Sequence, residues 1–194
     1  MRMSPSALVI LDRDGVINED SADFIRSASA WQPLAGAPEA IARLHAAGWR
    51  IAVATNQSGI ARGWFDVRAL AGIHDRMEQV VREAGGRIDH VAFCPHGPDD
   101  GCSCRKPAPG LIHAIEKALG VDARGAPFVG DALRDLQAAR AAGCRPVLVR
   151  TGKGLQTEQE LDSDTAEGLM VFDDLAAFAD HWLAPGDDAE GRSE

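Results

Sequence analysis

Apolar residues gather in short runs at 7–11, 50–54, 88–93, 126–130 and 145–149, while between them, at about 37–47, 66–84, 108–119 and 132–142, they recur at helical spacing. A short strand at 169–172 and a helix at 174–183 complete the pattern. Strand and helix alternating at these lengths predict an α/β fold with a central parallel sheet flanked by helices. Punctuation agrees. Pro38 suits a first helical turn and Gly48 an end, while Gly143 closes the Ala-rich segment that follows Asp131. Residues 1–184 read as a single domain without repeats, and the polar, acidic stretch 185–194 as a disordered tail. Parallel sheets bind ligands beyond the carboxyl ends of their strands. Asp12, Thr55 and Asp131 each lie just past an apolar run, so the topology itself brings them to one cleft.

Composition adds bounds. The 194 residues are 45% hydrophobic and 25% charged, ordinary values for a globular chain with a sizeable core. No run approaches the roughly 18 apolar residues of a membrane span. The opening Met-Arg-Met-Ser-Pro-Ser leads into a strand without a signal-peptide apolar region, so a cytoplasmic protein is expected. A net charge of −9 argues against nucleic-acid or anionic-membrane partners, yet a local basic cluster can still hold a small phosphate. A monomer is expected.

The chemistry begins at Val9-Ile-Leu-Asp-Arg-Asp-Gly15. Residues two apart point to one face of a strand, so Asp12 and Asp14 aim two carboxylates into one pocket. Close carboxylates repel and need a cation or a shared proton. Magnesium fits, since it takes hard oxygen ligands and leaves positions open for phosphate. Taken alone, the segment could equally be a strand ending in an Asp-Gly turn.

Three more segments follow in order: Thr55-Asn-Gln-Ser-Gly59, Arg105-Lys106-Pro107, and Gly130-Asp131 with Asp135 four residues on. From about Leu8 to Gly154 this ordered set resembles the haloacid dehalogenase (HAD) superfamily of phosphotransferases. The resemblance implies a HAD-like Rossmannoid fold. The intervals between these segments are too short for a sizeable cap, so the protein reads as essentially capless. By the same resemblance Asp12 is the nucleophile that forms an aspartyl phosphate, and Asp14 is the general acid, then base. Magnesium falls to Asp12, Asp131 and the backbone carbonyl of Asp14. Asp135 reads as a supporting carboxylate or weaker ligand, against a solvated helix charge. Thr55 and Asn56 offer a hydroxyl and an amide to phosphoryl oxygens, and Lys106 a point charge. Lys153, in a Gly-rich loop, reads as solvated. Val16 stands where the commonest first motif has Thr.

A second cluster, Cys94-Pro-His96 and Cys102-Ser-Cys104, supplies three sulfurs and one imidazole around a turn-rich segment. Spacing and resemblance together suggest a Cys₃His zinc loop, structural because all four positions are filled by protein. A cytosolic chain argues against disulfides. Cys144 reads as a buried strand residue. Zinc would orient the adjacent Arg105 and Lys106 toward the phosphate, with Arg105 recognising substrate.

Within the superfamily, the zinc segment and Thr55–Gly63 look like the heptose-bisphosphate 7-phosphatases, with histidinol-phosphate phosphatases close in pattern. The implied function is magnesium-dependent removal of the 7-phosphate of D-glycero-D-manno-heptose 1,7-bisphosphate, feeding nucleotide-activated heptose for lipopolysaccharide or another surface glycan. In the loop 19–31, Asp20, Ser21 and Asp23 would meet sugar hydroxyls and Arg26 a second phosphate, though a plain surface loop fits as well. Rival readings are histidinol-phosphate hydrolysis, polynucleotide 3′-phosphatase activity, disfavoured by the absence of a basic stripe, and a non-catalytic zinc-stabilised binding module.

Overall fold

The structure is a computed structural model that describes residues 7–184; the tail expected at 185–194 lies outside them. The strands are β1 (Leu8–Leu11), β2 (Arg50–Asn56), β3 (His90–Cys94), β4 (Pro127–Gly130), β5 (Arg145–Val149) and β6 (Met170–Phe172). They form one sheet in the order β3-β2-β1-β4-β5-β6. Every pairing is parallel, as the strand–helix alternation predicts. Helices α1 (Ala37–Ala46), α2 (Val67–Glu83), α3 (Gly110–Leu119), α4 (Leu133–Ala141), α5 (Gly154–Glu160), α6 (Ser163–Ala166) and α7 (Leu175–Leu183) make the connections.

The period-two geometry of strands divides the core in two. Val9 and Leu11 of β1 join Ile51, Val53, Val129 and Val147 against α1, α2 and α7. Leu8 and Ile10 face the other way, with Ala52, Ala54 and Phe128, against α3 and α4. Both faces of β1 are fully buried, which is why its sequence is an unbroken apolar run. Each such Leu, Ile or Val contributes roughly 1.5–3 kcal/mol by leaving water. Val16, the departure from the commonest first motif, is buried and packs into the first of these cores.

Element ends follow local chemistry. Asp66 caps α2 by accepting from the Ala69 N–H at 2.7 Å. Pro38 occupies the first turn of α1, and Gly48, at φ +89°, ends the chain's turn out of that helix. Helices α5 and α6 lie in a stretch for which the hydrophobic pattern predicts no element; they are short and polar, and α6 is capped by Asp162. Cys144 is buried but sits just before β5, where its thiol donates to the Ala123 carbonyl. Among the described residues, only a single 3-10 turn (Ala28–Ala30) lies between β1 and α1, and only α2 between β2 and β3, so neither interval holds a cap domain. The cleft therefore opens at the carboxyl ends of β1, β2 and β4, where the chain turns to opposite sides of β1.

Candidate active site

Asp12 follows β1 directly, and its N–H reaches the Val129 carbonyl of β4 at 2.9 Å. Its carboxylate is 3% exposed and meets two others, Asp131 and Asp135, with one oxygen of each lying within 4.8 Å of the rest. Lys106 enters from the segment before α3. Its ammonium is 2.8 Å from Asp12 Oδ1 and 2.7 Å from Asp135 Oδ1. Burial alone would strip that proton, but the two carboxylates more than offset it, and the Lys106 pKa is raised. Asp135 is buried, not solvated, and its Oδ2 also accepts from the Ala132 N–H.

The Lys106 ammonium, even with the Arg134 guanidinium nearby, does not balance three buried carboxylates. Asp12 is pushed up to about 6, by burial first and by Asp135, with Lys106 pulling the other way. Asp131 is pushed up to about 7, by burial, Asp12 and Asp135. Asp131 Oδ1 is buried without a hydrogen-bond partner, while its Oδ2 accepts from the Lys153 N–H at 2.9 Å. An orphaned carboxylate oxygen beside a second carboxylate fits a hard divalent cation such as magnesium, held by Asp12 and Asp131. Gly15 makes room for the Asp131 carboxylate: a Cβ there would lie 2.1 Å from Asp131 Oδ2, and its φ of +83° favours glycine as well.

Asp14 does not join this carboxylate group. It accepts from Arg13 through Nε at 3.0 Å and Nη2 at 2.8 and 2.9 Å, from Asn18 at 2.9 Å and from Gln57 at 3.0 Å. Burial raises its pKa, but Arg13 and the amide donors win, and the net shift is downward. An unbound carboxyl is thus not enough to keep a proton here; its donors hold it ionised. Asn56 lines the cavity and also supports Lys106. Its amide nitrogen donates to the Lys106 carbonyl and its oxygen accepts from the Lys106 N–H, both at 3.0 Å. It brackets the Lys106 backbone while each of its polar atoms keeps one further hydrogen-bonding position. Thr55, 1% exposed, accepts from Gln57 at 2.9 Å and lines the cavity.

The cavity encloses about 260 Å³ above Asp12 and Asp14. Arg62, Arg105, Arg134 and Lys153 stand in its wall, a local positive surface on an acidic chain. Arg134 Nε is buried without a partner. Lys153 is not merely solvated: it pairs with Asp20 at 2.9 Å on the rim. Asp20 and Ser21 line the cavity as expected, but Asp23 is exposed and does not. Phe24, at φ +60°, turns the loop so that its own ring lines the cavity and packs edge-on against Trp64. Arg26 stacks on Trp64 at 5.1 Å and is likewise outside the wall. Arg13, Gln57 and Arg134 were given no role by the sequence; only the place of each beside a motif residue could have marked them.

Cys94, His96, Cys102 and Cys104 converge beside β3. Sulfur–sulfur and sulfur–Nδ1 separations run from 3.3 to 3.7 Å. A tetrahedral zinc with bonds of about 2.3 Å sets its ligands nearly that far apart. No disulfide links these cysteines. Without a cation the Cys94 thiol is pushed up to about 12, by burial first and then by its sulfur neighbours, an arrangement that a zinc ion would reverse. Arg105 Nη1 donates to the His96 carbonyl at 3.2 Å, tying the loop to the cavity wall. Protein purified without chelator is expected to keep one zinc per chain through long dialysis while magnesium exchanges freely. Emission spectrometry checks this, and zinc-free native protein, or a Cys94–Cys102 disulfide in fresh lysate, would count against it.

The geometry has known counterparts. A family profile described as HAD-hydrolase-like matches residues 103–178. The D-glycero-beta-D-manno-heptose-1,7-bisphosphate 7-phosphatase of Pseudomonas aeruginosa is 55% identical over 89% of this chain and 96% of that one. Its namesake from Bordetella bronchiseptica is 52% identical over 91% and 97%. A crystal structure of the B. bronchiseptica D,D-heptose 1,7-bisphosphate phosphatase, complexed with magnesium and phosphate, superposes with a TM-score of 0.85, covering 91% of this chain and 97% of that one. Identity of this order over nearly the whole of both chains is decisive: the chain belongs to the D-glycero-β-D-manno-heptose-1,7-bisphosphate 7-phosphatase family of HAD-like hydrolases.

Proposed function

We propose that this chain is a magnesium-dependent phosphatase that removes the 7-phosphate of D-glycero-β-D-manno-heptose 1,7-bisphosphate in the cytoplasm. The observation that carries the reading is the buried set of Asp12, Lys106, Asp131 and Asp135 in a chain so close to the named phosphatases. The names of those relatives carry the β-anomer. No helix among the described residues is long and apolar enough to cross a membrane.

Asp12 Oδ1 already meets Lys106 and the Arg13 N–H, so attack on phosphorus is assigned to Oδ2. The bond between phosphorus and the sugar oxygen breaks, and that oxygen takes a proton from Asp14. Asp14 then takes a proton from water, which attacks the aspartyl phosphate, frees inorganic phosphate and restores Asp12. Ionised Asp14 must first gain its proton. The dianionic phosphate of the substrate supplies the cause, since a like charge nearby raises a carboxyl pKa. Lys106 stays charged and neutralises the phosphoryl oxygens as the transition state forms. Magnesium, held by Asp12 and Asp131, would add the positive charge that lets a carboxylate approach a phosphate. Phosphate release from both heptose bisphosphate anomers, histidinol phosphate and a 3′-phosphorylated oligonucleotide tests the reading. It fails if either of the last two is the better substrate.

Arg105 is assigned the anion remote from the scissile bond. Its removal is expected to cost about 1–3 kcal/mol in binding. That is roughly a ten- to hundred-fold fall in kcat/KM for the bisphosphate, with a much smaller fall for p-nitrophenyl phosphate. Equal losses for Arg105→Ala on both substrates would place Arg105 in loop structure or general phosphoryl stabilisation.

A further inference from the structure

The proposed reaction gives no role to two buried polar side chains that touch each other, Arg13 and His74. Arg13, between the two reacting aspartates, is only 1% exposed. Its Nε and Nη2 bind the Asp14 carboxylate as a fork, which leaves Nη1 pointing into packed protein. There it meets His74 Nε2 at 3.4 Å. His74 lies on α2 among the core residues Leu70, Ile73 and Met77 and is 9% exposed. Phe93 of β3 packs edge-on against the imidazole, with ring centroids 6.0 Å apart.

A guanidinium can only donate, so His74 Nε2 must be the acceptor and the ring neutral, with its proton on Nδ1. Burial and the Arg13 charge favour that neutral form and bring His74 down to about 4. An apolar residue would suit this stretch of α2 better for packing alone. What His74 adds is the only acceptor recorded for Nη1 among the described residues. A buried donor left unpaired costs about 1–3 kcal/mol, so the guanidinium would shift to find a partner without it.

We infer that Arg13 and His74 are positioning residues: His74 fixes the Arg13 guanidinium, and the guanidinium fixes the plane in which the Asp14 carboxylate exchanges protons. Asn18 and Gln57 hold the same carboxylate from its other sides, so Asp14 is gripped by a frame rooted in α2 and the β2 end. This rests on the reading of Asp14 as acid and base. A proton donor out of alignment harms a sugar leaving group, a poor one that must be protonated. In phosphoenzyme formation it matters little to p-nitrophenolate, which leaves unprotonated, whereas the later attack of water calls on Asp14 for either substrate.

The test compares heptose bisphosphate with p-nitrophenyl phosphate for wild type, Asp14→Asn, His74→Leu, His74→Gln and His74→Asn. His74→Leu is expected to lose roughly ten- to hundred-fold in kcat/KM on the sugar, since that ratio reports the chemistry only up to departure of the leaving group, and under about three-fold in kcat/KM on the aryl ester. Asp14→Asn is expected to show the same contrast, enlarged. The longer amide of His74→Gln can accept from Nη1 and is expected to regain most of the loss, whereas His74→Asn falls short and is not. Equal losses of His74→Leu on both substrates, while Asp14→Asn still discriminates, would reduce His74 to packing and overturn the inference alone. No loss, or a gain, would overturn it too. If His74→Leu does not fold, equal sugar activity of the Gln and Asn variants has the same force. If Asp14→Asn itself fails to discriminate, the acid–base reading falls first.

Discussion

Asp12→Asn is expected to abolish turnover, on both sugar and aryl phosphates, by several powers of ten, on the order of 10⁴-fold or more. An amide of the same shape fills the site but cannot readily form the phosphoenzyme. The fold is expected to survive, because the substitution removes one negative charge from an over-charged trio. Lys106 keeps Asp135 as its partner at 2.7 Å. The melting temperature is therefore expected to hold or rise. Steady-state assays beside thermal melts check both halves. More than a tenth of wild-type activity in Asp12→Asn would sink the covalent mechanism.

Lys106→Met is expected to damage both activity and stability. Lys106 is the ammonium placed between Asp12 and Asp135, at 1% side-chain exposure. Removing one partner of a buried charge pair typically costs about 3–5 kcal/mol, because the other charge is stranded. Losing a preorganised charge at the phosphoryl group adds roughly 10²–10³-fold in kcat. The two effects separate through magnesium. With Lys106 gone, the cation becomes the main counter-charge for Asp12, Asp131 and Asp135, so added magnesium is expected to raise the melting temperature of Lys106→Met more than that of wild type. Activity would not return with it. A variant that melts like wild type without magnesium would show that Lys106 does not balance these carboxylates.

The parallel sheet, the cleft and most of the chemistry were legible because each rests on a local rule. Buried strands read as apolar runs, and topology carries their ends to one place. What was illegible depends on neighbours distant in sequence. Asn56 looks like a free amide until Lys106 is found against it. Asp135 reads as a supporting carboxylate from its place one turn past Asp131, but that Lys106 is its partner shows only once α4 is packed. Asp23 and Phe24 are adjacent, and the backbone turn at Phe24, braced by Trp64, decides which of them faces the cavity. Arg13 and His74 are separated by a strand and a helix, and no spacing rule links them. Helices α5 and α6 show too little apolar periodicity to be predicted.

The strand order has a bearing on how the protein is made. Ile10 pairs with Phe128 and Leu11 with Val129, so the central strand finds its second neighbour only late in the chain. Contacts so remote must close a long loop before they bring any gain. During synthesis Asp12 emerges near the start, well before Lys106 and Asp131 exist. A nascent chain that ends short of β4 carries an Asp12 with neither its cation site nor its sheet edge complete. Hydrolysis is thus expected only of chains long enough to include β4.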